Sequence, residues 1–581
     1  MKKVSLLSCI GFSALLPSLS AAQIRNPIAD SVFNGFNRAY LTKSGTQTYY
    51  ANSLTDRSRA YFWEHAYLIT AAEDVYDGNP TAAHKQLIKD VLTSFLAKEK
   101  TDWKWDVWND DIEWVVNIFI RGYQITGDSA FLAPALNNWK MTWTRGWSPK
   151  YGGGIWEKMD DTISGGKGGL SNWPFVFEGV ELYKVTGDTG ILNKCIKDYA
   201  WARTHAYDSR IGRIYEQTGP NGMNGDDNSY NSGLLVNAAA SLFEVTKDSL
   251  YYNDALTASA HYIGRIGAAG IMTEDHPANG YFGGEQFARG LSKFTRLNYL
   301  WNKYYAFLSA NGAAAWKNRR IDYNLTWNNF ARATSTDNLR ALEAQGSVVI
   351  QATTPVLQNL TPDSLAPVTL QAEDFNYMKG IAIDSSNAGA GGKTAGAIAA
   401  TNFLEYIVKV PTAGVYSITY RVSGTSAGSI QFQLNGRSLI TTVLVATGSP
   451  QTFADVSTKV TLPAGIQSIR LVGQSGGPAL DWFKVTFGDH VGPIAIRAAD
   501  APGSDLMRTF FDPSAAKLTI DVGTRQIKDL LVSDIFGRVI RHNAGKARGI
   551  WSMDASALPN GNYLLSLRTD KDELLTQRFV K

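Results

Sequence analysis

The chain has 581 residues, a formal net charge of +4, 12% aromatic residues and two cysteines. That length exceeds a single typical core and predicts one large domain with smaller ones appended. The weak charge, without a basic tract, argues against nucleic acid as a partner.

Lys2 and Lys3 precede an apolar run from Val4 to Leu19, and Ser20-Ala21-Ala22 forms a small-residue cleavage pattern. Residues 1–22 therefore read as a signal peptide, with the mature chain starting near Gln23. Cys9 sits in a loose lipoprotein-like box, but the apolar run continues past it, which disfavours lipidation. Once Cys9 leaves, Cys195 stands alone and an internal disulfide is excluded. No later stretch is long and apolar enough to span a bilayer as a helix.

From about residue 24 to 354 the apolar spacing is helical. A repeat runs through it: IFIRGYQITGD ends at Asp128, VELYKVTGD at Asp188 and ASLFEVTKD at Asp248, so the Thr-x-Asp ends recur every sixty residues. Each unit reads as a helix stopped by a Gly or polar turn and followed by a returning helix. A weaker copy ends at Val75-Tyr76-Asp77-Gly78, and Leu297 to Leu308 predicts one apolar helix without the turn. Repeated hairpins of this size stack as a superhelix or close as a toroid, and periodicity does not choose between them.

Fourteen of the sixteen tryptophans precede residue 330, which places aromatic surface in this first domain. The loops before the repeated helices are rich in Gly, Asn and aromatic residues, the materials of a sugar-binding groove. Trp105, Trp108, Trp156, Asn172, Trp173, Tyr230 and Asn231 are the substrate-binding candidates. The most informative segment is WKWDVWNDDIEW, Trp103 to Trp114, where Asp110 and Asp111 lie among four tryptophans. Two acids at a helix start serve either to complement the helix dipole or to cut a glycosidic bond, and the surrounding indoles put the second reading level with the first.

Asp160-Asp161 and Asp226-Asp227 lie in Gly-rich loops and read as solvated acids. The seven histidines form no metal-ligand spacing, and no G-x-S-x-G elbow is present, which disfavours a zinc hydrolase and an esterase. Residues 355–367 read as a linker, 368–488 as a β-sandwich of short alternating strands, 489–504 as a second linker and 505–581 as a small β-domain.

WNDDIEW, the GGGIW loop, KGGLSN before VELYKVTGD, and YNSGLLVNAAASLFEVTKD together resemble glycoside hydrolase family 76, the endo-α-1,6-mannanases, over about residues 24–354. Asn109 stands where that family commonly has Tyr. The resemblance implies an all-α (α/α)6 toroid and a retaining hydrolase without a catalytic cofactor. Asp110 is then the nucleophile and Asp111 the general acid/base, with α-mannan as partner. Transglycosylation, a helical-toroid lyase and non-catalytic glycan binding are the alternatives.

QAED, FLEY, AGVY, LPAG and LDWF resemble a family 6 carbohydrate-binding module, a jelly-roll β-sandwich. Ala397, Pro450 and Ala479 replace the aromatic and Asn residues usual in its main cleft, which implies weak sugar binding, binding through another face, or a packing role. A structural calcium is a further implication, with Glu373 and Asp481 the nearest matches. VSDIFGR, LPNGNY and the terminal RFVK resemble the C-terminal sorting domain of the type IX secretion system. This implies a small β-sandwich that engages the secretion machinery, delivering a monomer to the outside or to the outer cell surface.

Overall fold

The computed structural model describes residues 27–159, 166–266, 269–275, 282–361, 366–384, 393–396, 398–490, 508–512, 516–534, 539–558, 561–570 and 574–581. The expected signal peptide lies outside them. So does the expected second linker, apart from residues 489–490, which end a strand.

Twelve α-helices are described: α1 Pro27–Tyr40, α2 Phe62–Gly78, α3 Ala82–Glu99, α4 Asn109–Thr126, α5 Ser129–Gly146 and α6 Gly169–Thr186. Then come α7 Thr189–His205, α8 Ser229–Thr246, α9 Ser249–Arg265, α10 Gly284–Asn298, α11 Trp301–Lys317 and α12 Ala341–Thr353. The even-numbered helices pack in succession, and α12 returns to α2, closing an inner ring; the odd-numbered helices lie outside it. Their different burial follows from sequence. In α8 thirteen residues from Ser229 to Leu242 are buried, whereas outer α9 buries a single stripe of six.

The sixty-residue repeat is a capping device. Thr126 Oγ1 donates to Gly122 O at 2.6 Å and accepts the Asp128 N–H at 3.1 Å. Gly127 is left-handed (φ 75°), and Asp128 caps the next helix by accepting the Ala130 N–H at 3.1 Å. Thr186 with Asp188 and Thr246 with Asp248 repeat these bonds. These turns are short, so every inner helix returns its N-terminus to the same end, where the longer loops gather. Lys247 holds the left-handed position at φ 60°, which strains a residue bearing a Cβ. Lys247→Gly is therefore expected to raise stability by about 0.5 to 1 kcal/mol, as read from the urea midpoint at unchanged m-value.

The helix expected across Leu297–Leu308 is corrected: the chain turns at Tyr299 (φ 56°) and restarts at Trp301. Tyr299 fills the left-handed position that glycine fills elsewhere, so the turn left no glycine signal.

The sandwich has two sheets. One orders Tyr377–Lys379, Phe403–Val410, Gly465–Ser475, Gly428–Leu434 and Arg437–Leu444. The other orders Ile383–Asp384, Thr394–Ala395, Ala479–His490, Gly414–Ser423 and Phe453–Leu462, with Val368–Gln371 on the Ala479–His490 strand. Leu404, Tyr406, Ile418, Phe432, Leu471 and Phe483 face inward between the sheets as their core. The first linker is corrected in part: Gln358–Asn359 pair in parallel with Val408–Lys409, and Leu360 enters the sandwich core. Pairing satisfies backbone groups that a free linker would leave to water.

The sandwich docks on the end of the ring opposite the long loops. Ile466 N donates to Asn302 Oδ1 at 2.6 Å, Arg296 lies over the Tyr377 ring at 5.1 Å, and Ile407 joins the toroid core. In the C-terminal domain, Lys517–Asp534 is one long strand whose first part pairs with Arg508–Asp512 and whose second part pairs with Asn562–Thr569. The separate strands expected at 517–522 and 529–534 are its two halves.

Candidate active site

Helix α4 begins at the long-loop end with Trp108 as its N-cap residue, although an indole cannot cap. Among the described residues no side chain caps this helix; Asp106 instead fixes the turn before it, its Oδ1 accepting the Trp108 N–H at 2.9 Å. Asn109, fully buried, clamps the neighbouring loop: its Nδ2 donates to Trp156 O, its Oδ1 accepts from Arg145 Nε, each at 2.7 Å, and its N–H donates to Glu157 O. Residues 107–109 and 157–159 thus run antiparallel, with Met159 N donating to Val107 O at 2.7 Å. This clamp draws Glu157 close enough for its charge to act on Asp110.

Asp110 and Asp111 stand in the first turn of α4, each 8% exposed. Burial, chiefly, pushes both carboxyls up, so they stay protonated well above the ordinary carboxylate range. Glu157 adds to the rise at Asp110, while the N–H groups of Asp110 and Asp111 at the helix start oppose it. Asp111 faces the charges of Asp110 and Asp106, which add to the rise from burial. When the pair loses one proton, these differences favour Asp110 as the carboxylate and Asp111 as the acid. Beneath them Glu113, Glu178 and Asp198 are fully buried, and burial holds each well above its ordinary value. The floor of the site is therefore largely uncharged.

Three exposed rings stand at this end: Trp105 (50% exposed), Trp108 (36%) and Tyr61 (53%). Trp105 meets Phe62 edge-on at 4.9 Å, Lys158 Nζ lies 4.8 Å over Trp108, and Tyr61 is near enough to feel the charges of Asp106 and Asp111. Such faces suit sugar rings. Sequence reasoning missed Tyr61. The available signal was its place immediately before α2, equivalent to Trp108 before α4.

The other sequence candidates need correction. Asn172 bonds Ile155 N, Ile155 O and Gly168 O, and Trp173 is fully buried in the toroid core; both are scaffold. Trp156 is 2% exposed, with Lys150 and Lys167 over its ring, and braces the glycine loop instead of offering a stacking face. Tyr230 is buried, accepts from Asn228 at 2.7 Å and donates to Glu216 Oε1 at 2.9 Å. Asn231 is fully buried, and neither end of its amide finds a hydrogen-bond partner among the described residues. A large ring on a helix can turn to core or to solvent, and composition does not distinguish the two.

Asp226 is exposed as expected, but Asp227 is hydrogen-bonded to His261 at 2.6 Å and ion-paired with Arg265 at 3.6 Å. Asp160 and Asp161 lie outside the described residues. In the sandwich, Pro450 is exposed, Ala479 half-buried, and Ala397 lies outside the described residues. Glu373 and Asp481 are buried, and burial, chiefly, with the Asp374 charge and then that of Asp481, pushes Glu373 up to about 7. Among the described residues, no group of three or more His, Cys, Asp or Glu side chains is placed to hold a metal.

Family profiles match the chain in three places: glycosyl hydrolase family 76 over residues 23–368, carbohydrate binding module (family 6) over 371–487, and the secretion system C-terminal sorting domain over 510–581. Among solved structures, an α-1,6-mannanase from Salegentibacter sp. is similar, at 21% identity and TM-score 0.51, over 57% of this chain and 98% of that one. An inactive variant of that enzyme, with two consecutive aspartates replaced by asparagine, is held in complex with α-1,6-mannotriose; it aligns at 19% identity and TM-score 0.52, with the same coverage. A family 76 glycoside hydrolase from a bovine Bacteroides thetaiotaomicron strain aligns at 18% identity and TM-score 0.50, over 56% of this chain and 76% of that one. A curated relative, an exo-β-D-glucosaminidase from Amycolatopsis orientalis, is 35% identical over 136 residues. Those residues are 22% of this chain, which spans 12% of that relative's length.

Proposed function

This chain belongs to glycosyl hydrolase family 76, and from that premise we propose that it is a retaining endo-α-1,6-mannanase. The observation that carries the reading is the Asp110-Asp111 pair at the start of α4, buried, unequal in its tendency to ionise, and set beside exposed Tyr61, Trp105 and Trp108. The similar Salegentibacter protein supports it, because replacing two consecutive aspartates accompanies inactivity there. Asp110 would attack the anomeric carbon of a mannosyl unit while Asp111 protonates the departing oxygen. Asp111, now a carboxylate, would then deprotonate the water that releases the sugar from Asp110.

Debranched α-1,6-mannan incubated with the mature protein should yield short manno-oligosaccharides and new reducing ends. Products that lengthen with added acceptor would instead indicate transglycosylation. No cleavage by folded protein would overturn the proposal.

The C-terminal sorting domain indicates export by type IX secretion; release or surface attachment of a monomer completes the proposal. The sandwich would serve mainly as the packing partner seen at the closed end of the ring. A calcium there also belongs to the proposal. Glu373 Oε2 is buried without a hydrogen-bond donor among the described residues, beside buried Asp481, so a cation would offset their repulsion. Chelation is then expected to lower the melting temperature of the wild type and leave Glu373→Ala unchanged; equal responses would remove the calcium.

A further inference from the structure

General-acid catalysis by Asp111 requires a proton on that side chain while Asp110 is ionised, in a site that crowds Asp106, Asp110, Asp111, Glu157 and Glu216 together. Asp106 is 4% exposed and rigidly held. Its N–H donates to Trp103 O at 3.0 Å, its Oδ1 accepts the Trp108 N–H at 2.9 Å, and its carbonyl accepts from Arg145 Nη1 at 2.8 Å. Its second oxygen, Oδ2, is buried and has no hydrogen-bond partner among the described residues. Asp106 and Asp111 are close enough to act on each other's ionisation, and two carboxyls can join in a hydrogen bond only with a proton between them.

The surroundings decide where that proton resides. At Asp106 burial raises the carboxyl, and the Trp108 N–H and the Arg145 charge oppose that rise in favour of the anion. Asp111 faces Asp110 on its own helix and Glu157 from the clamped loop, with the Tyr61 phenol near it from the start of α2.

We propose that Asp106 is a positioning residue that accepts the hydrogen bond of the Asp111 carboxyl and so holds the transferable proton on that side chain. The inference rests on the reading of Asp111 as acid/base. In the first step the proton passes from Asp111 to the glycosidic oxygen as its bond to the anomeric carbon breaks and the Asp110 ester forms. Asp111 is then a carboxylate beside the Asp106 carboxylate, and their repulsion strengthens it as a base. It takes a proton from water as the water oxygen bonds the anomeric carbon and the ester breaks, returning Asp110 as a carboxylate.

Asp106→Asn in the full chain tests this, because the amide keeps the acceptor for Trp108 and removes the charge. The basic limb of the kcat/KM profile on α-1,6-mannan should move at least about one pH unit lower. Turnover should fall about thirtyfold or more with little change in KM, and much less for a 2,4-dinitrophenyl α-1,6-mannobioside, whose leaving group needs no proton. Asp106→Glu, which retains charge and acceptor, should return the limb toward its wild-type position. An unmoved limb in Asp106→Asn, equal losses on the two substrates, or a Glu variant that behaves like the Asn variant would each overturn the proposal. Asp111→Asn run alongside separates the two readings. If it is inactive on mannan while Asp106→Asn has a normal profile, only the role of Asp106 fails; if it is active, the acid assignment itself fails.

Discussion

Asp110→Asn and Asp111→Asn are each expected to lower turnover of debranched α-1,6-mannan at least about a thousandfold, and to raise the melting temperature. Activity falls because the first substitution removes the nucleophile and the second the acid, and no other side chain holds either role at this helix start. Stability moves the opposite way because burial raises both carboxyls in the folded state. A group raised on folding contributes its full stability below the ordinary carboxylate range, and that contribution is lost as pH rises through the folded value. The stabilisation by Asn should therefore be slight near pH 4 and grow toward pH 8. Calorimetry across that interval, beside reducing-end assays, checks both halves. Near-normal activity in either variant would remove the assignment. The retaining step can be tested with Ala variants and azide: Asp110→Ala should give the β-mannosyl azide, because azide enters from the face of the missing nucleophile. Asp111→Ala should give the α-azide, because azide opens the covalent intermediate.

Gly233→Ala and Gly290→Ala are each expected to destabilise the toroid by about 3 kcal/mol, although helix propensity alone favours Ala by about 1 kcal/mol. Contact outweighs propensity here. A Cβ on Gly233 would lie 2.2 Å from the backbone of Gln286 and Phe287, and one on Gly290 would lie 2.2 Å from Gly233 O. These obstacles are backbone atoms of α8 and α10, so relief requires parting two inner helices of the ring and opening voids along their length. Gly264 supplies the control: it is exposed near the end of α9 with nothing within 4 Å of a built Cβ. Gly264→Ala should be neutral or stabilising by a few tenths of a kcal/mol. Urea denaturation of the three variants decides the matter, and a stable Gly233→Ala would show that the ring yields more easily than close packing implies.

How far the sequence could be read differed from element to element. The hairpins were legible because Thr126, Gly127 and Asp128 act through bonds to residues within four positions, so the same letters make the same turn at 186–188. The turn at Tyr299 escaped because a tyrosine carries the conformation that glycine signals elsewhere. Asp110 and Asp111 stood out by adjacency, whereas Asp106 was unremarkable until folding placed it against Asp111 and Arg145. Asn109 departs from the family's usual Tyr and is accounted for by the loop clamp, a contact across 47 positions to Trp156.

By itself the sequence determined what depends on neighbours in the chain: the capped helix repeat, the change from helical to alternating period after the toroid, and the paired acids among aromatic rings. The tertiary structure alone decided which of those rings meet solvent, leaving Trp105, Trp108 and Tyr61 open while Trp156 and Trp173 are enclosed. It also decided the unequal ionisation of the acid pair. Burial and the charges of Glu157 and Asp106 come from the closed ring and the clamped loop, and the strength of an electrostatic contact depends on distance and dielectric, which local sequence does not specify.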